Sequence, residues 1–187
     1  MMSRRLWACG LALLLLFVLH APPAVAGTTH VYLVRGAGNV SVGLDALAQQ
    51  LNRMGIAATV AAAGESHAVA AAAIRNYGNG EVRSVILIGH SLGGISVLSM
   101  ADELNRAGVP VSLMITLDTS RRPVPPNVRR AVNFYFHGAQ LAPAPGFHGE
   151  LENVGVGGIP GMSHMAVQSM PLMHQKMINL VSAANGG

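Results

Sequence analysis

One stretch of this sequence, Val85–Gly94, restricts the possible folds more than any other. It begins as a run of aliphatic residues typical of a strand buried on both faces, and it ends in the motif G-x-S-x-G, which places Ser91 between Gly89 and Gly93. In this motif a strand turns sharply into a helix, and the glycines avoid a collision between a Cβ atom and neighbouring backbone. The stretch predicts an α/β protein with the Ser91 hydroxyl exposed at the carboxyl end of a strand, beside free N–H groups at the start of a helix.

A glycine-rich turn that binds nucleotide phosphates is another interpretation of the same stretch. The sequence contains neither G-x-G-x-x-G nor G-x-x-x-x-G-K-[ST], the patterns that such turns carry. We therefore interpret Ser91 as a nucleophile for acyl carbonyl groups, with a structural turn or a retired site as the alternative.

The first 26 residues have the pattern of a secretory signal peptide. Arg4 and Arg5 precede the apolar run Leu11–Leu19, and Ala24–Ala26 supplies small residues for cleavage. We expect residues 27–187 to form one exported domain, periplasmic or secreted, with no stable membrane insertion. A retained membrane anchor is the alternative, although the apolar run is shorter than the roughly 20 residues that cross a bilayer.

Composition excludes several classes of function. The single cysteine, Cys9, lies in the leader, so the exported chain has no disulfide framework, thiol nucleophile or cysteine zinc site. Two of the 12 basic residues, Arg4 and Arg5, also lie there, which leaves 10 against 8 acidic residues. With aromatic residues at only 4%, the chain lacks the pattern of a nucleic-acid-binding protein. The one basic cluster is predicted to be a solvated loop, with a site for an anionic ligand as the alternative: Arg121, Arg122, Arg129 and Arg130.

Apolar runs alternate with helical patterns along the rest of the chain, which predicts a doubly wound, mostly parallel sheet of about six strands in a three-layer α/β/α arrangement. The expected strands are His30–Arg35, Ile56–Val60, Val82–Ile88, Val111–Leu117, Ala131–Phe136 and Leu151–Val156. The expected helices are Val42–Met54, Ser66–Tyr77, Leu92–Ala107 and Ala166–Ala183. Two proline-rich pieces, Pro123–Pro126 and Leu141–Phe147, are expected to be surface loops.

Three residues of complementary chemistry follow strands of this sheet. Ser91 and Asp118 each close a strand, and His164 lies between the last strand and the last helix. The carboxyl ends of parallel strands share one edge of a sheet, where ligands bind. The three side chains are therefore expected to converge.

These residues give the chain a resemblance to the α/β-hydrolase superfamily, in particular its lipase and thioesterase-like branch. The resemblance extends from about Thr28 to Ala183 and rests on the G-x-S-x-G turn, on Asp118 and on His164, in the chain order Ser, Asp, His. It implies that Ser91 is the nucleophile, His164 the general base and later acid, and Asp118 the residue that orients the imidazole. It also implies an oxyanion hole formed by the backbone N–H groups of Leu92 and, in the loop after the first strand, Ala37.

Some assignments remain open. His148 or His137 could replace His164 as the base, and Glu150 or Glu152 could replace Asp118 as the acid. The chain departs from many relatives by carrying Arg35 where they have histidine, by lacking the opening antiparallel strands, and by placing the acid one strand early. Arg35 is expected to pair with a neighbouring acid, with a substrate carboxylate as the alternative.

The resemblance implies a serine hydrolase of carboxylic esters, with lipid esters or thioesters as further substrates. Four apolar loop residues are candidates for an acyl pocket, with ordinary packing as the alternative: Leu141, Phe147, Met162 and Met165. The partner is expected to be a small-molecule or lipid acyl ester. No cofactor is expected, and no metal, since no His-x-x-x-His pattern or carboxylate cluster has ligand spacing. The competing hypothesis is an inactive binding protein that kept the scaffold.

Overall fold

A computed structural model describes residues 28–136 and 139–185 of the protein. The predicted signal peptide with its cleavage site and His137 lie outside the described residues. Six strands form one sheet in the order β2-β1-β3-β4-β6-β8, and every neighbouring pair is parallel. These strands are β1 (Thr28–Val34), β2 (Ala57–Ala61), β3 (Val82–His90), β4 (Val111–Leu117), β6 (Arg130–Tyr135) and β8 (Glu150–Gly155).

Two short strands, four α-helices and three 3-10 turns complete the described fold. The strands β5 (Pro123–Val124) and β7 (Ala142–Pro143) pair with each other outside the main sheet. They lie within the two proline-rich pieces that were expected to be loops. The helices are α1 (Gly43–Arg53), α2 (Ser66–Gly78), α3 (Leu92–Arg106) and α4 (Pro171–Asn185).

The helices cover both faces of the sheet, because alternate side chains of each central strand point to opposite faces. Val31 and Leu33 of β1 belong to a core cluster shared with α1 and α4. Tyr32 and Val34 of the same strand belong to a second cluster shared with α2 and α3. The α/β class and the three-layer architecture predicted from the sequence are confirmed. Within the described residues the sheet has no antiparallel strand.

The prediction of one continuous helix over Ala166–Ala183 is wrong. A short 3-10 turn spans Ala166–Gln168, and α4 begins only at Pro171. Proline lacks a backbone N–H and disfavours the α conformation in the preceding residue, so it starts a helix more readily than it continues one. The consequence is a longer, irregular connection between β8 and α4, and this connection carries His164.

The order of the strands determines where the loops meet. β1 and β3 are neighbours, and the chain continues from β1 to β2 on one side and from β3 to β4 on the other. Such a reversal opens a crevice at the carboxyl ends of the two strands, which is the usual ligand position in open α/β sheets. The loop after β1 and the turn after β3 therefore face each other at this crevice.

Candidate active site

Ser91 occupies a strained backbone conformation between β3 and α3, with φ 55° and ψ −118°. A Cβ atom at Gly89 would strike the carbonyl group of Gly93, and one at Gly93 would strike the carbonyl oxygen of Val34. Only glycine fits these two positions. The Ser91 N–H donates to the carbonyl of Leu117 (2.9 Å), so the end of β4 holds the turn in place.

The strain at Ser91 predicts an effect on stability. Ser91→Gly and Ser91→Ala both remove the hydroxyl group, but only glycine adopts this φ and ψ without cost. We expect the glycine variant to be more stable by about 1 kcal/mol in urea unfolding, since strain of this kind costs about 1–3 kcal/mol and glycine loses part of it as chain entropy.

The same pair of substitutions at Ser99, within α3, is the control. Alanine is expected to be the more stable there, by about 1 kcal/mol, because the backbone is helical. Equal stability of the two Ser91 variants, or greater stability of the alanine variant, would contradict a strained turn.

Asp118 follows β4 directly and has a positive φ of 44°. Its backbone N–H donates to the carbonyl of Phe134 (2.7 Å), and its Oδ1 accepts a hydrogen bond from the backbone N–H of Phe136 (2.9 Å). The neighbouring strand β6 thus fixes both the backbone and one oxygen of this carboxylate. The second oxygen, Oδ2, faces the connection between β8 and α4.

His164 joins Asp118 to Ser91. Its Nδ1 lies 2.7 Å from Asp118 Oδ2, and its Nε2 lies 3.1 Å from Ser91 Oγ. Because a carboxylate oxygen accepts, Nδ1 carries the ring proton and Nε2 is left to accept from the serine hydroxyl. The imidazole side chain is 45% exposed, so a substrate can reach it.

The structure separates the other candidates from this cluster. His148 precedes β8 and lines a cavity with Arg129 and Gly149 at the opposite, amino-terminal end of the strands. Glu150 and Glu152 lie within 3.8 and 3.6 Å of the Arg130 guanidinium group. These residues contribute to the sheet edge and lie away from Ser91.

The two proposed oxyanion donors flank the crevice. Leu92 is the first residue of α3, and Ala37 begins a 3-10 turn directly after Gly36. Within the described residues the backbone N–H groups of Leu92 and Ala37 make no hydrogen bond, so both are available to a ligand oxygen.

Arg35 forms an ion pair with Asp45, its Nε lying 3.0 Å from Oδ2, and this hydrogen bond raises the pKa of the guanidinium group.

A buried polar network lies behind these groups. His90, the residue before the serine, is 1% exposed; its Nδ1 lies 2.7 Å from Ser41 Oγ and its Nε2 lies 2.8 Å from the carbonyl oxygen of His164. Ser41 Oγ also accepts the backbone N–H of Gly36 at 2.9 Å. Burial lowers the pKa of His90, against a smaller raising effect of its bond to the His164 carbonyl. Sequence reasoning missed the part that Ser41 plays in this network.

The cavity at the crevice is lined by both polar and apolar side chains. Its volume is about 390 Å³, and Thr119 and Ser120 line it beside Ser91, Asp118 and His164, together with the apolar residues Leu92, Ile95 and Ala139. Most of the exposed large hydrophobic residues in the described part of the chain lie in the loop after β1, at the start of α3, beside His164 or in the first turn of α4: Val40, Val42, Leu92, Met165 and Leu172.

The acyl-pocket candidates divide into two groups. Met165 is exposed next to His164, whereas Met162 and Leu141 are buried in the two core clusters and Phe147 packs against one of them. Packing in the core therefore explains the apolar side chains of Met162, Leu141 and Phe147.

No group of three or more histidine, cysteine, aspartate or glutamate side chains in the described residues is placed to hold a metal ion. No helix in residues 28–136 or 139–185 has the length and hydropathy to cross a membrane.

The fold is similar to that of known enzymes. The structure of human thioesterase 2 aligns with a TM-score of 0.56 at 10% identity, over 86% of this chain and 97% of that one. An acetyl xylan esterase structure aligns with a TM-score of 0.47 at 13% identity, over 84% of this chain and 98% of that one. No protein-family model and no curated protein sequence matches this chain. The likeness to thioesterase 2 shows that this chain has an α/β-hydrolase fold.

Proposed function

We propose that this protein is a serine hydrolase that cleaves carboxylic esters through an acyl-enzyme. The observation that carries the proposal is the continuous hydrogen-bonded series from Ser91 Oγ to His164 Nε2 (3.1 Å) and from His164 Nδ1 to Asp118 Oδ2 (2.7 Å). It starts from a serine on a strained strand-to-helix turn. A nucleophile, a base and a group that orients the base are thus in contact.

The geometry supports a two-stage reaction. In the first stage His164 Nε2 takes the Ser91 hydroxyl proton while Oγ bonds to the substrate carbonyl carbon. The oxyanion that forms accepts hydrogen bonds from the N–H groups of Leu92 and Ala37. The bond to the alcohol oxygen then breaks, and His164 returns its proton to that oxygen, which leaves an acyl group on Ser91.

The second stage repeats these steps with water. His164 takes a proton from a water molecule as the water oxygen attacks the acyl carbon. Collapse of the intermediate returns the proton to Ser91 Oγ and releases a carboxylic acid. Asp118 remains ionised throughout and stabilises the imidazolium that forms in each stage.

The apolar side chains of Leu92 and Ile95 at the cavity support esters with a hydrophobic acyl or alkyl part, including small-molecule and lipid acyl esters. The crevice is open, which favours short to medium chains. Human thioesterase 2 is by name a thioesterase, so thioesters are a second chemical class. Export through residues 1–26 as a cleaved signal peptide, which we also propose, favours oxygen esters, because free coenzyme A thioesters are not expected outside the cytoplasm.

Hydrolysis of p-nitrophenyl esters of increasing acyl length tests the proposal. We expect turnover with a pre-steady-state burst of nitrophenol when deacylation is the slower stage. Absence of turnover in a well-folded protein, together with retained binding of ester analogues, would support the alternative that the chain is an inactive binding protein on a hydrolase scaffold.

Leu92→Ser tests the acyl contact, because it keeps the backbone N–H and removes an apolar side chain that is 43% exposed. We expect KM for the octanoate ester to rise about 10-fold, since about 0.8 kcal/mol is lost for each methylene group no longer covered, and KM for the acetate ester to change little. Met54→Ser is the matched control: Met54 is similarly exposed (52%) but follows α1 at its far end. Equal effects on both esters would place the acyl chain elsewhere.

A further inference from the structure

The imidazole of His90 connects two parts of the site that belong to different loops. One nitrogen contacts Ser41, in the loop after β1, and the other contacts the backbone carbonyl of His164, after β8. The separations along the chain are 49 and 74 residues. We call the loop between β1 and α1 (residues 35–42) the oxyanion loop and the connection between β8 and α4 (residues 156–170) the histidine loop. A single buried ring therefore contacts both loops.

The hydrogen bonds of this ring have one consistent direction. The His164 carbonyl oxygen can only accept, so His90 Nε2 carries the proton. The Gly36 N–H donates to Ser41 Oγ, and the Ser41 hydroxyl proton is free to point at the unprotonated His90 Nδ1. This neutral tautomer satisfies every donor in the series.

The same ring is packed tightly against both loops. A Cβ atom built on Gly36 would lie 3.0 Å from Ser41 Oγ and 3.3 Å from His90 Nδ1, so the backbone of Gly36 lies close to both side chains. On the other side, the rings of His90 and His164 lie 4.8 Å apart between centroids, tilted by 39°. His90 thus restrains both the backbone and the imidazole of His164.

We propose that His90 is a positioning residue that couples the oxyanion loop to the general base. The proposal rests on the proposed function, in which the Ala37 N–H and His164 Nε2 act on the same reacting carbonyl. Ala37 follows Gly36 directly, so the hydrogen bond to Ser41 fixes the peptide plane next to the proposed oxyanion donor. A displacement of about 1 Å in such a group can cost about 100-fold in rate.

Three variants test the coupling through catalysis. His90→Leu is expected to lower kcat for p-nitrophenyl acetate by about 10–100-fold with little change in KM, because alignment is lost and the acyl contacts remain. His90→Gln offers one donor and one acceptor at similar positions and is expected to recover most of that loss. Ser41→Ala is expected to lower kcat about 10-fold and to add little in the His90→Leu background, since both substitutions break the same series.

A control separates positioning from general stability. Asn52 makes two hydrogen bonds with the backbone of Ala58, at the far end of α1. Asn52→Ala is expected to lower the free energy of unfolding while leaving kcat unchanged below the melting transition. If Asn52→Ala lowers kcat as much as the His90 and Ser41 variants do for the same loss of stability, or if His90→Gln recovers nothing, the coupling is overturned.

A second readout does not depend on ester hydrolysis. In the unsubstituted protein, nitrogen NMR is expected to find His90 protonated at Nε2 alone. Hydrogen exchange of the Gly36 amide is expected to be faster by about 10-fold in His90→Leu, although Gly36 bonds only to Ser41 in this series. Unchanged exchange there would overturn the coupling. If the unsubstituted protein neither turns over esters nor reacts at Ser91, the proposed function fails. The nitrogen NMR of His90 and the hydrogen exchange of the Gly36 amide then test the coupling without the kinetic data.

Discussion

Ser91→Ala is expected to reduce kcat/KM for p-nitrophenyl acetate by at least about 10⁴-fold, the largest effect of any substitution in this chain. The substitution removes the one oxygen that lies 3.1 Å from His164 Nε2, and with it the attacking atom. The backbone conformation at Ser91 and the N–H of Leu92 remain. Any residual rate would come from water attack within the oxyanion hole.

Ser99→Ala is the control for this substitution. Ser99 lies within α3, donates to the carbonyl of Ile95 and accepts a hydrogen bond from Arg122, so its substitution removes a hydroxyl group that does not contact His164. We expect its kcat/KM to stay within about twofold of the unsubstituted protein, as is usual for a substitution outside the reacting groups. Retention of more than about one per cent of the activity in Ser91→Ala would move the nucleophile to another residue.

Asp118→Asn is expected to reduce kcat by about 10³–10⁴-fold through the tautomer of His164. The Oδ1 position accepts the Phe136 N–H, so an asparagine oxygen is needed there and its NH₂ group must face His164 Nδ1. Nδ1 then becomes an acceptor, and Nε2 carries the proton toward Ser91. In that state the imidazole cannot accept the serine proton.

Asp102→Asn provides the matched control, because Asp102 is an exposed carboxylate on α3. We expect its kcat to be unchanged. A loss of less than about tenfold in Asp118→Asn would show that this carboxylate does not set the state of the imidazole, contrary to the proposed mechanism.

Local patterns in the sequence predicted most of what positions the site. The strand and the glycines around Ser91 are encoded within ten residues, so the turn could be found from the motif alone. Asp118 and His164 could be placed because parallel strands bring their carboxyl ends to one edge, and the structure does bring His164 within hydrogen-bond distance of both Asp118 and Ser91. The periodic spacing of apolar residues was sufficient to predict the strands that these residues follow.

Features that depend on contacts between distant segments were not predictable in the same way. The bond between His90 and Ser41 joins residues that are 49 positions apart, and neither forms a motif with the other. Hydrophobicity also could not separate Met162, which is buried in the core, from Met165, which is exposed at the crevice. A local signal does exist at Pro171, because a proline in an otherwise helical pattern interrupts the helix, and α4 begins there.

The most direct test of the central claim is covalent labelling of the purified protein with a fluorophosphonate, followed by peptide mapping. This reagent phosphonylates only serines that are activated by a neighbouring base. We expect one adduct per chain, located on Ser91, and no adduct in Ser91→Ala or His164→Ala. An unlabelled Ser91 in folded protein, or an adduct on another residue, would contradict a hydrolase built on Ser91, His164 and Asp118.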